Sequence, residues 1–114
     1  MKIAIPAEEQ VKTGKVSPVF GRASYFFIYN EEDQTHSFKE NGAKQRPGGA
    51  GVQASQLLVD EEVKVVITPQ CGENALSILK RAGIKIYRSQ DGSLQDNLDA
   101  YLQEKLVELT GSGQ

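Results

Sequence analysis

The stretch Val63-Lys64-Val65-Val66-Ile67-Thr68, followed by Pro69-Gln70-Cys71-Gly72, decides the fold. The first part is nearly all apolar and β-branched. That marks a strand buried on both faces, as in a parallel sheet covered by helices. The second part is a tight turn. On either side the hydrophobic period becomes helical. Upstream, Ala54, Leu57, Leu58 and Glu61 share one face, which predicts a helix over 51–61. Downstream, Ala75, Ile78, Leu79 and Ala82 share another, with Gly83 at the C′ position that closes such a helix. A further strand follows at 84–87. The right-handed crossover rule then makes the strands on either side of each helix parallel.

Working outward, Ile3 and Ile5 fall on one face of a short strand at 2–6. The run Ser24-Tyr25-Phe26-Phe27-Ile28-Tyr29-Asn30 is aromatic and β-branched, hence a strand. The charged turn Asn30-Glu31-Glu32-Asp33 sets it antiparallel to a polar edge strand at 34–40. Loops are expected at 7–19 and 41–50. At the far end, Leu94, Leu98, Tyr101, Leu102 and Leu106 predict a third helix, capped by Ser93 or Asp91. The order is β-β-β-α-β-α-β-α. This is the α/β class: a three-layer α/β/α sandwich with a ribonuclease H-like motif. Its mixed five-stranded sheet has strand two antiparallel. Residues 1–109 read as one domain and 110–114 as a flexible tail.

Composition sets the outer bounds. The chain has 114 residues, 39% hydrophobic and 25% charged, with a net charge of -2. Mean hydropathy is -0.42 and the pI is about 5.4. This balance suits one folded domain and argues against a general nucleic-acid binder. No apolar run approaches the roughly 20 residues of a membrane-spanning helix. Met1-Lys2 runs straight into Ile3-Ala4-Ile5, so no signal peptide is expected. One cysteine gives no internal disulfide and points to a reducing, cytoplasmic setting. One His and one Cys cannot build a zinc site alone, which takes about four N or S ligands.

The topology collects a site. With strand one parallel to strands three to five, the loops after strands one, three and four share the end of the sheet where strand two begins. Two helices also start there, bringing unsatisfied N–H groups. Ligands of open α/β sheets bind at that end. Lys12, Lys15, Arg22, Lys44 and Arg46 lie in its loops, so it is expected to be locally positive. The acidic Glu31–Asp33 turn lies at the other end.

Cys71 follows the buried strand and precedes a helix, where the dipole lowers a thiol pKa. It reads either as a metal–sulfur ligand or redox thiol, or as a small apolar residue in a tight turn. Pro47-Gly48-Gly49-Ala50-Gly51 can present backbone N–H groups to an anion, or serve as a linker. It lacks the Lys-Ser/Thr ending of a Walker A loop. Arg22 can clamp an anion or simply be a surface residue. His36 is expected to be exposed, far from the site, with no metal role.

Several enzyme readings fail. Strand one carries no acid, so the carboxylates of a metal-dependent nuclease are missing. No Arg closes a phosphatase-like loop after Cys71. One distant His makes no triad.

Ser17-Pro18-Val19-Phe20-Gly21-Arg22-Ala23, followed by an aromatic strand, resembles the S-x-x-F-G-R-A signature of the dinitrogenase iron–molybdenum cofactor biosynthesis family, which includes nitrogenase accessory proteins of the NifX type. The similarity runs on through the Gly-rich loop, the Val65-Val66-Ile67 strand and Ala82-Gly83-Ile84-Lys85-Ile86-Tyr87, to about Leu106. Where some members carry His, this chain has Val19 and Gln45-Arg46-Pro47. The resemblance implies a ribonuclease H-like fold without nuclease activity. It also implies binding or carriage of an anionic metal–sulfur cluster, or its precursor, containing molybdenum, iron or both, with copper as a further candidate.

The leading reading is thus a cytoplasmic, non-catalytic carrier in cofactor assembly or storage. Its partners would be the cluster and cofactor-assembly proteins, with no nucleic acid or membrane. Cys71 would be the metal ligand. Arg22, Gly21, Gly48, Gly49, Gly51 and Gly72 would bind the cluster. A thiol-dependent redox enzyme using Cys71 is one alternative, and a metal-free anion-sensing or protein-interaction domain is another.

Overall fold

The computed structural model describes residues 1–45 and 48–109, with Lys44 and Gln45 described by their backbone alone. Arg46, Pro47 and the expected tail at 110–114 lie outside the described residues. The strands are β1 (Lys2–Ala7), β2 (Tyr25–Asn30), β3 (Thr35–Glu40), β4 (Val63–Thr68) and β5 (Lys85–Arg88). The α-helices are α1 (Ala50–Asp60), α2 (Glu73–Arg81) and α3 (Leu94–Leu102). The five strands form one sheet in the order β3-β2-β1-β4-β5. β2 is antiparallel to β1 and β3, while β4 is parallel to β1 and β5. Strand β1 therefore shares the direction of β3, β4 and β5, as the site argument required.

β4 splits the core in two, with a register shift at its start that puts Val63 and Val66 on the same side. Val63 and Val66 join Ala4, Phe26, Ile28 and Ile86 on one face, under Ala54 and Leu58 of α1 and Leu76 and Leu79 of α2. Val65 and Ile67 join Ile3, Ile5 and Phe27 on the other, under Leu94 and Leu98 of α3. This is the three-layer arrangement. Leu58 and Leu79 are fully buried, and trimming either to Ala costs about 2–5 kcal/mol.

The helix ends follow their sequence signals. Gly83 has φ 79°. Its N–H donates to the Lys80 carbonyl and that of Ile84 to Leu79, a Schellman closure of α2. Ser93 and Asp96 form a reciprocal capping box on α3, which selects Ser93 over Asp91 as the cap.

One expectation needs correcting. α3 stops at Leu102 and does not reach Leu106, because Glu104 turns left-handed at φ 58°. Residues 107–109 instead return beside β5: Arg88 N–H donates to the Val107 carbonyl and Leu109 N–H to that of Ile86. The two upper loops also carry short 3-10 turns, at Phe20–Arg22 and Gly42–Gln45. Both are too short to leave a periodic signal.

Candidate anion-binding end of the sheet

The turn Phe20–Arg22 is held from three sides. Ser17 N–H donates to the Pro6 carbonyl at 2.8 Å, anchoring the incoming chain on β1. Phe20 is buried against Phe26, with ring centroids 5.4 Å apart. Asn41, 3% exposed, donates through Nδ2 to the carbonyls of Gly21 and Ala23 at 3.2 and 2.9 Å. Its Oδ1 accepts from Ala43 N–H, which ties the second 3-10 turn to the first.

Gly21 then meets α1 backbone to backbone. A Cβ on Gly21 would lie 2.6 Å from Gly51 N, 2.8 Å from Gly51 Cα and 2.9 Å from the Ala50 carbonyl carbon. Only glycine permits that approach. Gly51 in turn faces Ala75 of α2, whose Cβ would lie 3.5 Å from a Cβ on Gly51. Ser55 completes the stack, its hydroxyl donating to the Gly51 carbonyl at 2.8 Å and lying 3.3 Å from the Ala75 carbonyl, a bifurcated contact. The first turn of α1 is thus wedged between the Phe20–Arg22 turn and α2.

Of the three helices that start at this end, α1 and α2 begin with glycine and have no side-chain cap. Gly49 (φ 71°) caps α1, and Gly72 caps α2. α3, whose start faces the other side of the sheet, is capped by a side chain. First-turn amides of α1 and α2 are therefore left for solvent or a ligand. Gly48, Gly49, Gly72 and Arg22 are exposed, Gly51 is half-buried and Gly21 is buried. Of the seven predicted residues, Gly21 and Gly51 touch each other and act as a joint. The exposed four surround it on the same end of the sheet.

Cys71 departs from expectation. Thr68 Oγ1 donates to the Gln70 carbonyl at 2.9 Å and shapes the turn before it. Gln70 Nε2 reaches the Pro18 carbonyl at 3.4 Å and links this turn to the 17–19 segment. Cys71 packs against the core cluster that holds Phe20 and Ala75. Burial pushes its thiol up to about 11, not down. Desolvation of the thiolate is the cause, and Cys71 sits one residue before the Gly72 cap of α2. Two of the five cations expected at this end, Lys44 and Arg46, lie outside the described side chains. Glu8 and Glu9 follow β1, and Glu73 occupies the first turn of α2. Lys12, Lys15 and Arg22 are exposed among them.

Sequence reasoning missed Asn41, Ser55 and Gln70. Asn41 left a signal, an Asn-Gly pair just after a strand, where an amide bonds its own backbone two residues on. A cavity of about 450 Å³ lies on the α3 side of the same end, bordered by Lys15, Val16, Pro18, Pro69, Ser89 and Gly92. None of the predicted residues lines it. Among the described residues, no three of His, Cys, Asp or Glu converge as a metal site. His36 is exposed at the other end, its ring 5.5 Å from that of Phe27. No helix among the described residues is long and apolar enough to cross a membrane.

By fold and site this is a small three-layer α/β domain with an amide-rich surface at the carboxyl ends of its strands. The chain belongs to the dinitrogenase iron–molybdenum cofactor family, whose model matches residues 1–104. It is similar to the uncharacterized protein MJ0580 of Methanocaldococcus jannaschii, 30% identical over 109 residues, covering 93% of this chain and 89% of that one. The apo form of the orange protein from Desulfovibrio gigas superposes with a TM-score of 0.93 at 27% identity, covering 99% of this chain and 96% of the other. A candidate NifB protein from Thermotoga gives a TM-score of 0.83 at 35% identity, with 98% of both chains covered.

Proposed function

We propose that this chain binds and carries an anionic metal–sulfur cluster or its precursor, of the iron–molybdenum cofactor type or otherwise molybdenum-containing. It does so as a single cytoplasmic domain over 1–109, in cofactor assembly or storage, without catalysis. The observation that carries the reading is the Gly21–Gly51 backbone contact. It joins the F-G-R turn to the uncapped start of α1, within a chain whose family is defined by that cofactor.

The residues divide the work. Gly21 and Gly51 fix the joint. The amides at Gly48, Gly49 and Gly72 donate to sulfido or oxo groups, and the Arg22 guanidinium supplies charge. Cys71 is protonated in the free protein, so it becomes a ligand only where a thiophilic metal such as iron, molybdenum or copper displaces its proton. Its high pKa gives no support to a thiol-dependent redox enzyme. Cofactor-assembly proteins are the natural delivery partners.

The test is anaerobic incubation with tetrathiomolybdate, with and without copper, followed by gel filtration and metal analysis. Molybdenum should co-elute with the protein, and Arg22→Ala should retain less of it at low salt. Protein that elutes free of metal under every condition contradicts the proposal.

A further inference from the structure

A second cleft, of about 480 Å³, opens beneath the last turn of α3, at the end of the sheet away from the Gly21–Gly51 joint. Its lining is Glu31, Tyr87, Tyr101, Leu102, Glu104 and Leu106. Four separate segments meet there: the β2–β3 turn, β5, α3 and the turn beyond it. The rings of Tyr87 and Tyr101 stand edge to face, with centroids 5.1 Å apart and planes at 67°. Glu104 is held beside them by its left-handed turn, with its N–H donating to the Tyr101 carbonyl at 2.9 Å.

Every charge in the lining is negative. Neither glutamate forms an ion pair, and neither tyrosine hydroxyl forms a hydrogen bond, among the described residues. Lys105 is exposed and does not line the cleft. α3 has no basic residue in its last turn, so the negative end of its dipole faces the same region uncompensated. Burial first, then repulsion from the neighbouring Tyr87 oxygen as the phenols ionise, and then the Glu31 carboxylate, hold the Tyr101 phenol above its ordinary pKa.

We propose that this cleft binds a small organic cation, an alkylammonium or guanidinium head group on a free small molecule. Aromatic faces attract such cations more strongly as water is excluded. The two glutamates supply neutralising charge, and Leu102 and Leu106 contact the alkyl portion. An anion would be repelled by the same lining. The site is independent of the cluster-binding reading, since it lies at the other end of the sheet and shares none of its residues.

The test is an NMR titration of the whole chain, following the ring protons of Tyr87 and Tyr101. The probes are tetramethylammonium, N-methylguanidinium and the neutral tert-butanol. The cations should give saturable shifts at both rings, with tert-butanol weaker by roughly fivefold or more. The double variant Glu31→Gln, Glu104→Gln should weaken tetramethylammonium by roughly threefold to tenfold and leave tert-butanol unchanged. Tyr101→Leu should reduce the preference for the cation, leaving the share supplied by the two glutamates and Tyr87. Equal binding of charged and neutral probes overturns the proposal. So does the absence of a saturable shift at the two rings, or a double variant that binds as the parent does.

Discussion

Gly21→Ala puts one methyl group where there is no room. Its nearest neighbours would be Gly51 N at 2.6 Å, Gly51 Cα at 2.8 Å and the Ala50 carbonyl carbon at 2.9 Å, against 3.4 Å for the lower edge of ordinary contact. All three are backbone atoms, so no side chain can rotate aside. Either the Phe20–Arg22 turn or the start of α1 has to move. Asn41 resists the first movement through its bonds to Gly21 and Ala23, and Ser55 resists the second. Overpacking costs about 1–3 kcal/mol in general, and this clash belongs at the upper end, at about 2–3 kcal/mol. In a domain of this size that lowers Tm by roughly 8–13 °C. Urea denaturation should show a lower midpoint with an unchanged slope, since the surface exposed on unfolding is the same. Gly48→Ala is the control. A Cβ there meets nothing within 4 Å, so the change should be neutral or stabilising by a few tenths of a kcal/mol. A Gly21→Ala protein as stable as the parent would refute the claim that a tight backbone joint connects the two loops.

Asn41→Ala leaves the Gly21 and Ala23 carbonyls and the Ala43 amide without their partner, so it should cost about 2–3 kcal/mol by chemical denaturation. Arg22→Ala should weaken tetrathiomolybdate binding more at low than at high ionic strength, measured by titration at two salt concentrations. Cys71 should react slowly with a thiol reagent at neutral pH, because a thiol pKa of about 11 leaves little thiolate. That pKa is raised above its unfolded value, so the linked stability is present below about pH 9 and is lost as pH rises towards 11. Cys71→Ala should flatten that alkaline decline, as read from unfolding midpoints across the range. His36→Ala should leave metal retention unchanged, since the ring lies at the far end of the sheet.

Much of the fold was legible because its signals are local. The apolar run Val63 to Thr68, the spacing of Leu57 with Leu58 and of Ile78 with Leu79, and Gly83 after a helix each carry their own physics. The order of those elements then fixed strand directions through chain-handedness rules. The joint at the site was half legible. The F-G-R-A block marked the place, but the reason for Gly21 is its contact with Gly51, thirty residues on, and no local pattern encodes such an approach. Asn41 was passed over because an Asn after a strand commonly serves only its own turn. Leu106 has helical spacing from Leu102, yet Glu104 breaks the helix and the chain returns along β5, a tertiary choice overriding periodicity. Cys71 differs in direction, its thiol pKa raised where a lowering was expected. Its position beside a helix start is as read, but burial against the core, a tertiary contact that no local pattern encodes, raises its pKa.

The central claim is that an anionic metal–sulfur species is held at the joint between the Phe20–Arg22 turn and the start of α1. Backbone amide chemical-shift mapping during anaerobic addition of tetrathiomolybdate tests it most directly. The account predicts the largest shifts at Arg22, Gly48, Gly49 and Gly72, with Thr35 and His36 silent. Shifts centred on the β2–β3 turn or on the cleft beneath α3, with those four amides unmoved, would contradict it.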